Sequence, residues 1–208
     1  QQNVFFYLTV MNEAYLQPAM PKGVEAGIIK GMYLLEADKS KAAHHVQLLG
    51  SGAILREVRE AAKILREDFN VGADVWSVTS FNELRREGLA VERWNRLNPS
   101  KKQRTTYVEQ CLSGRNGPVV ASTDYMKLFA DRVRQWVPGK EYKVLGTDGF
   151  GRSDSRKKLR HFFEVDRYFI VIAALEALVA RGEIKPKIMT DALKRFGIDP
   201  EKANPLDC

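Results

Sequence analysis

The run Gly146-Thr147-Asp148-Gly149-Phe150-Gly151-Arg152-Ser153-Asp154-Ser155-Arg156 places three glycines within six residues and follows them with hydroxyls and charges. Such a loop can cradle a phosphate when bare backbone N–H groups converge on the anion. The known fingerprints do not fit. Gly149-Phe150-Gly151 needs a third glycine at position 154, where Asp154 stands, and no Gly-Lys-Ser/Thr follows. Gly50-Ser51-Gly52 fails in the same way: Leu55 occupies the third glycine position, and Asp74 opens a strand where an acid should close one. A structural βα turn is the better reading of both.

Covalent and metal chemistry find little support. There is no Gly-x-Ser-x-Gly nucleophile elbow. Nothing near Cys111 in the sequence would lower its pKa. No Cys/His spacing suits zinc, and the adjacent His44 and His45 would point to opposite faces of a strand. His161 sits among basic residues in "KKLRHFF" and reads as a helix-surface histidine, while Asp166, close to Glu164, is needed as a helix cap. What remains is a charged cluster, Arg152, Asp154, Arg156, Lys157, Lys158 and Arg160, a candidate interface whose cations suit an acidic partner surface.

The elements that would position these residues alternate. Strands are expected over Gly27–Ala37, Val46–Gly52, "ADVWSVTS", Pro118–Asp124 and Tyr142–Asp148. Ile54, Leu55, Val58, Ala61, Ala62, Leu65 and Phe69 recur at helical spacing, with Gly72 just past the end. Ser80 and Glu83 form a capping-box pair that opens another helix. "TTYVEQCL" suggests a short helix, and Met126 to Val137 marks one behind the fourth strand. Asp166 caps a helix to about Arg181, and a last helix ends at Gly197. The expected fold is α/β: a three-layer sandwich whose mostly parallel sheet is covered on both faces. In such sheets function gathers at the carboxyl ends of the strands, here Gly50-Ser51-Gly52, Val78-Thr79-Ser80, Ser122-Thr123-Asp124 and Gly146-Thr147-Asp148. Taken singly, each hydroxyl or carboxylate reads first as a helix cap.

The chain has 208 residues, 44% hydrophobic and 28% charged, with a net charge of +7. It carries two cysteines, so a reducing, cytoplasmic home is the default expectation. No apolar run is long enough to span a membrane, and no secretory leader is visible. Basic residues are interleaved with acids and lack a nucleic-acid motif, so nucleic acid is not expected as a partner.

"LGTDGFGRSDSRKKLRHFFEVDRYFIVIAAL" closely resembles the C-terminal domain of the homodimeric bacterial pyruvate dehydrogenases, a branch of the transketolase-like, thiamine-diphosphate-dependent enzymes. The looser signature of that wider family corresponds to Phe150-Gly151-Arg152-Ser153 and Leu159, and Asp154-Ser155-Arg156 is similar to the pyruvate dehydrogenase branch. "VQLLGSGAILREVREAAKIL", "DVWSVTSFNELRREG", "ERWNRLNP", "VVASTDYMKLFADRVR" and "FFYLTVMNEAYLQPAMP" agree, so the resemblance covers essentially the whole chain. It implies a transketolase C-terminal-domain-like fold with one antiparallel edge strand. It implies that residues 1–22 are the last strand of a preceding pyrimidine-binding domain plus a linker, and that residues 23–208 are the C-terminal domain.

The resemblance further implies an enzyme that, in full length, is a homodimer. That enzyme decarboxylates pyruvate on thiamine diphosphate with Mg and acetylates the lipoyl group of a dihydrolipoyl acetyltransferase component. No residue here matches the family's catalytic, cofactor or metal positions, so none is expected in this chain. Its part would be dimer assembly and active-site architecture. The alternatives are a basic docking module for the partner component, a transketolase-type enzyme fragment, and a stand-alone nucleotide-binding protein. The loop glycines are expected to serve a sharp turn and a close backbone approach.

Overall fold

The structure, a computed structural model, describes residues 3–6, 8, 13–139 and 141–207. Among them, β1 (Met32–Glu36), β2 (His44–Gly50), β3 (Val71–Val78), β4 (Val119–Ser122) and β5 (Tyr142–Leu145) form one sheet in the order β1-β3-β2-β4-β5. The β2–β3, β2–β4 and β4–β5 pairs are parallel, and β1 is the antiparallel edge. Parallel strands are covered on both faces and so read as continuous apolar runs. β3 shows this: it is buried at every position.

One face carries α2 (Leu55–Phe69), α7 (Arg167–Ala180) and α8 (Pro186–Phe196) against Val46, Leu48, Val71, Ala73, Val75 and Val120. The other carries α3 (Phe81–Leu97), α4 (Tyr107–Leu112) and α5 (Lys127–Asp131) around Leu49, Trp76, Val78, Val119 and Ala121. The arrangement is the expected three-layer sandwich. Ile170, Leu175 and Leu178 of α7 are fully buried, each contributing about 1.5–3 kcal/mol by removal from water.

Several boundaries differ from the sequence reading. Gly27–Ala37 is not one strand: Glu25–Lys30 is a short helix, α1, and only the second half pairs with β3. Gly31 ends α1 in a left-handed conformation (φ 109°), and a side chain there would stand 2.6 Å from the Ser80 carbonyl. The left-handed cap of α2 is Asn70, not Gly72, which lies inside β3. Asp74 is likewise the fourth residue of β3, accepting from the Asp38 amide and Gln47. The helix expected over Met126–Val137 breaks into α5 and a 3-10 turn at Arg134–Trp136. At the N-terminus, Asn3–Phe6 and Leu8 lie in no regular element. Tyr7 and 9–12, the remainder of the expected orphan strand up to Glu13, fall outside the described residues. No described helix is long and apolar enough to cross a membrane.

Candidate functional site

The parallel strands deliver Gly50, Val78, Ser122 and Leu145 to one edge of the sheet. The chain runs from β2 to β3 on one side and to β4 on the other, so the crevice between the β2 and β4 ends is the topological switch point. Ser51 donates its hydroxyl to Thr123 Oγ1 across it at 2.8 Å. Beside this bond lies a cavity of about 620 Å³ lined by Thr79, Ser80, Asn82 and Asp124. A second, of about 380 Å³, lies between Asp124, Thr147, Arg152, Arg156 and Arg160.

The expected capping is only partial at this polar edge: Ser51 makes no cap bond, Ser80 caps the helix that follows its strand, and Asp148 bonds the helix before its own. Ser80 Oγ accepts from the Glu83 amide at 3.1 Å and starts α3. Asp148 Oδ1 accepts from the Lys127 amide at 3.0 Å and starts α5. Asp166 accepts from the amides of Tyr168 (2.9 Å) and Phe169 (3.1 Å) and starts α7. His161 joins that cap, its Nδ1 3.0 Å from Asp166 Oδ2.

The glycine-rich loop does what close packing requires. A side chain at Gly146 would stand 2.7 Å from the Tyr125 carbonyl and 2.8 Å from the Lys127 amide. Gly149 has φ 90° and faces the Pro205 carbonyl, whereas Gly151 borders open space. Gly146→Ala is therefore expected to cost about 2 kcal/mol through overpacking. Gly151→Ala should stay within about 0.5 kcal/mol, as surface substitutions do. Chemical denaturation of both variants checks this.

The charged cluster is brought together only in part. Arg152 lies over the Phe162 ring at 5.3 Å. Arg156 pairs with Glu13 at 2.7 Å and Lys158 with Asp154 at 3.7 Å. Lys157 is exposed. Arg160 turns inward, its side chain 13% exposed, to reach Glu57 at 3.5 Å and the Tyr15 hydroxyl at 2.9 Å. Glu57 is the residue that sequence reasoning missed. It is 4% exposed and is gripped by Arg167, whose Nε donates at 2.8 Å. Burial pushes its carboxyl up, but the Arg167 guanidinium, with Arg160 behind it, outweighs that and holds it below the usual carboxylate value. A visible signal existed: Glu57 lies three residues after Ile54 and four before Ala61, on the apolar stripe of α2.

Cys111 is half-buried, and burial raises its thiol pKa, which does not make a nucleophile. No three His, Cys, Asp or Glu side chains among the described residues stand together as a metal site.

Residues 31–166 match the transketolase-like C-terminal domain family. The chain belongs to that family. This transketolase-like C-terminal domain is 74% identical over all 208 residues to the pyruvate dehydrogenase E1 component of Pseudomonas aeruginosa, of which it spans 24%. It is 57% identical over 205 residues to the same component of Escherichia coli K12, spanning 23%. It thus covers about a quarter of the length of these curated relatives. A transketolase from Pichia stipitis, in complex with xylulose 5-phosphate, superposes on 76% of this chain and 19% of its own, with a TM-score of 0.50 and 18% identity. That likeness confirms the transketolase C-terminal fold.

Proposed function

We propose that this chain is the C-terminal domain of a pyruvate dehydrogenase first component, with residues 1–22 as the preceding domain's last strand and linker and 23–208 as the domain proper. The whole enzyme, a cytoplasmic homodimer, decarboxylates pyruvate and reductively acetylates the lipoyl group of a dihydrolipoyl acetyltransferase component. The observation that carries this reading is the 74% identity over all 208 residues of the chain. Thiamine diphosphate with Mg supplies the carbanion chemistry when bound. On this reading the groups that hold it lie outside this chain, which contributes architecture rather than a chemical step.

Exposed Tyr125, Met126, Leu128 and Phe150, on the segments leaving β4 and β5, support a role in assembly. The reading of Arg152–Arg160 as a basic docking module is weaker, because Arg156, Lys158 and Arg160 each have a carboxylate partner. A transketolase-type parent is disfavoured by the gap between 74% and 18% identity.

The test is a blot of source-cell extract with antibody to this chain, fractionated alongside pyruvate-oxidising activity. A band roughly four times the size of the chain and travelling with that activity is expected, and the isolated chain should release no CO2 from pyruvate. A native band of 23.6 kDa apart from the activity would sink the reading.

A further inference from the structure

The net charge of +7 is not spread evenly over the folded chain. Arg93 and Arg96 project from α3, and Lys101, Lys102 and Arg104 from the loop after it, all five exposed. None of the five has a carboxylate within ion-pair distance among the described residues, in contrast to Arg156, Lys158 and Arg160. The local acids are committed elsewhere. Glu83 accepts from Arg86 at 2.8 Å, Glu87 from the Tyr107 amide at 3.0 Å and Glu92 from the Trp136 indole at 2.9 Å. Glu109 closes the capping box of α4.

The loop that displays these charges is held in place. Asn95 bonds Arg104 twice, donating to its carbonyl at 2.9 Å and accepting from its amide at 2.8 Å. Gln103 donates to the carbonyls of Asn98 (3.3 Å) and Lys101 (3.1 Å). The Arg104 guanidinium lies 3.9 Å from the Trp94 ring centroid, with Lys101 at 6.0 Å from the same ring. Helix-terminus electrostatics account for Arg96 in the last turn of α3, but not for the cations beyond it. Holding like charges together on an ordered loop is unfavourable unless an anion repays it.

Two features choose the kind of anion. Leu97 (58% exposed) and Leu89 (39%) lie on the same helix face as Arg93, a mixed apolar and cationic surface that suits a protein partner. The Trp94 face that could stack a nucleobase is taken by Arg104. We propose that the surface formed by Arg93, Arg96, Leu97, Lys101, Lys102 and Arg104 docks an acidic protein surface and steers its approach electrostatically.

The choice of probe rests on the functional reading above: the intact native enzyme and its acetyltransferase component. In the mixed complex, carbodiimide coupling should join Lys101 or Lys102 to a carboxylate of that component. The variant carrying Arg93→Glu, Arg96→Glu and Lys102→Glu should associate about tenfold more slowly and lose its salt dependence. Coupling absent at both lysines, with unchanged association of the variant, overturns the proposal while leaving pyruvate decarboxylation intact. A native enzyme that releases no CO2 from pyruvate overturns the functional reading and the choice of partner together. Binding of a labelled single-stranded oligonucleotide that the triple variant abolishes, with acetyltransferase association unchanged, gives the surface to nucleic acid and also overturns the proposal.

Discussion

Glu57→Ala is expected to cost about 3 kcal/mol or more of folding stability, because it removes the buried carboxylate of a charge cluster and leaves Arg167 with only the half-exposed Glu60 at 3.5 Å. Glu57 is 4% exposed, and three interactions from Arg167 converge on it: Nε at 2.8 Å, Nη2 at 3.2 Å and the backbone amide at 3.3 Å. Arg160 adds a fourth contact at 3.5 Å. Removal of the carboxylate leaves two guanidinium groups facing each other at the junction of α2, α7 and the short helix α6 (Arg156–Phe162). The loss should extend to the N-terminal segment around Tyr15. The Tyr15 ring lies between Arg56 (4.7 Å) and Arg160 (5.7 Å), and its hydroxyl accepts from Arg160. Faster proteolysis near Tyr15 should accompany the lower urea midpoint.

The isosteric Glu57→Gln separates charge from shape. The folded protein holds the Glu57 carboxyl below its usual 4.5 through the nearby guanidinium groups. A depressed carboxylate contributes stability that is fully present above the unfolded value and is lost as pH falls through the folded one. The difference between the parent chain and Glu57→Gln should therefore be largest near neutral pH and shrink progressively below about pH 4.5. An equal difference at pH 7 and pH 3 would show that the ion pairs are not the source of the stability.

The order of elements was legible in the sequence because each rests on local signals. Ser80 with Glu83, Asp166 and Gly197 mark helix ends where the structure has them. Local signals failed where a distant group decided the conformation. Gly31 reads as one more residue of an apolar strand until the Ser80 carbonyl, packed against it, shows why the chain turns there. The candidate site divides in the same way. The cations at 152–160 are conspicuous in sequence, yet their carboxylates come from Glu13, Asp154 and Glu57, of which only Asp154 is near in the chain. Arg93, Arg96, Lys101, Lys102 and Arg104 look diluted by Glu83, Glu87, Glu92 and Glu109. Only the fold reveals that those acids are spent on a helix-surface arginine, a backbone amide, an indole and a cap.

Gly117→Ala should be among the most damaging single-methyl changes in the chain, and Gly114→Ala, three residues earlier, should be mild. Both glycines have left-handed backbones, φ 85° and 77°. Each substitution therefore carries a similar conformational cost of about 1–2 kcal/mol. Their surroundings differ. A methyl group on Gly114 meets nothing within 4 Å, whereas one on Gly117 would stand 1.6 Å from the His45 carbonyl oxygen and 2.4 Å from its carbon. That neighbour is backbone in β2, so relief requires β4 to move away from β2. The move would strain the bond from the Gln47 amide to the Pro118 carbonyl at 2.9 Å. It would also disturb the fully buried Gln47 side chain, which donates to Asp74 and the Asn116 carbonyl and accepts from Trp76 Nε1 at 2.8 Å. Overpacking adds about 1–3 kcal/mol to the backbone term. Gly117→Ala should thus lose about 3 kcal/mol or more against about 1 kcal/mol for Gly114→Ala, read from paired urea transitions. Equal losses would mean that β4 is not seated against His45, and the switch-point crevice between the ends of β2 and β4 would lose its frame.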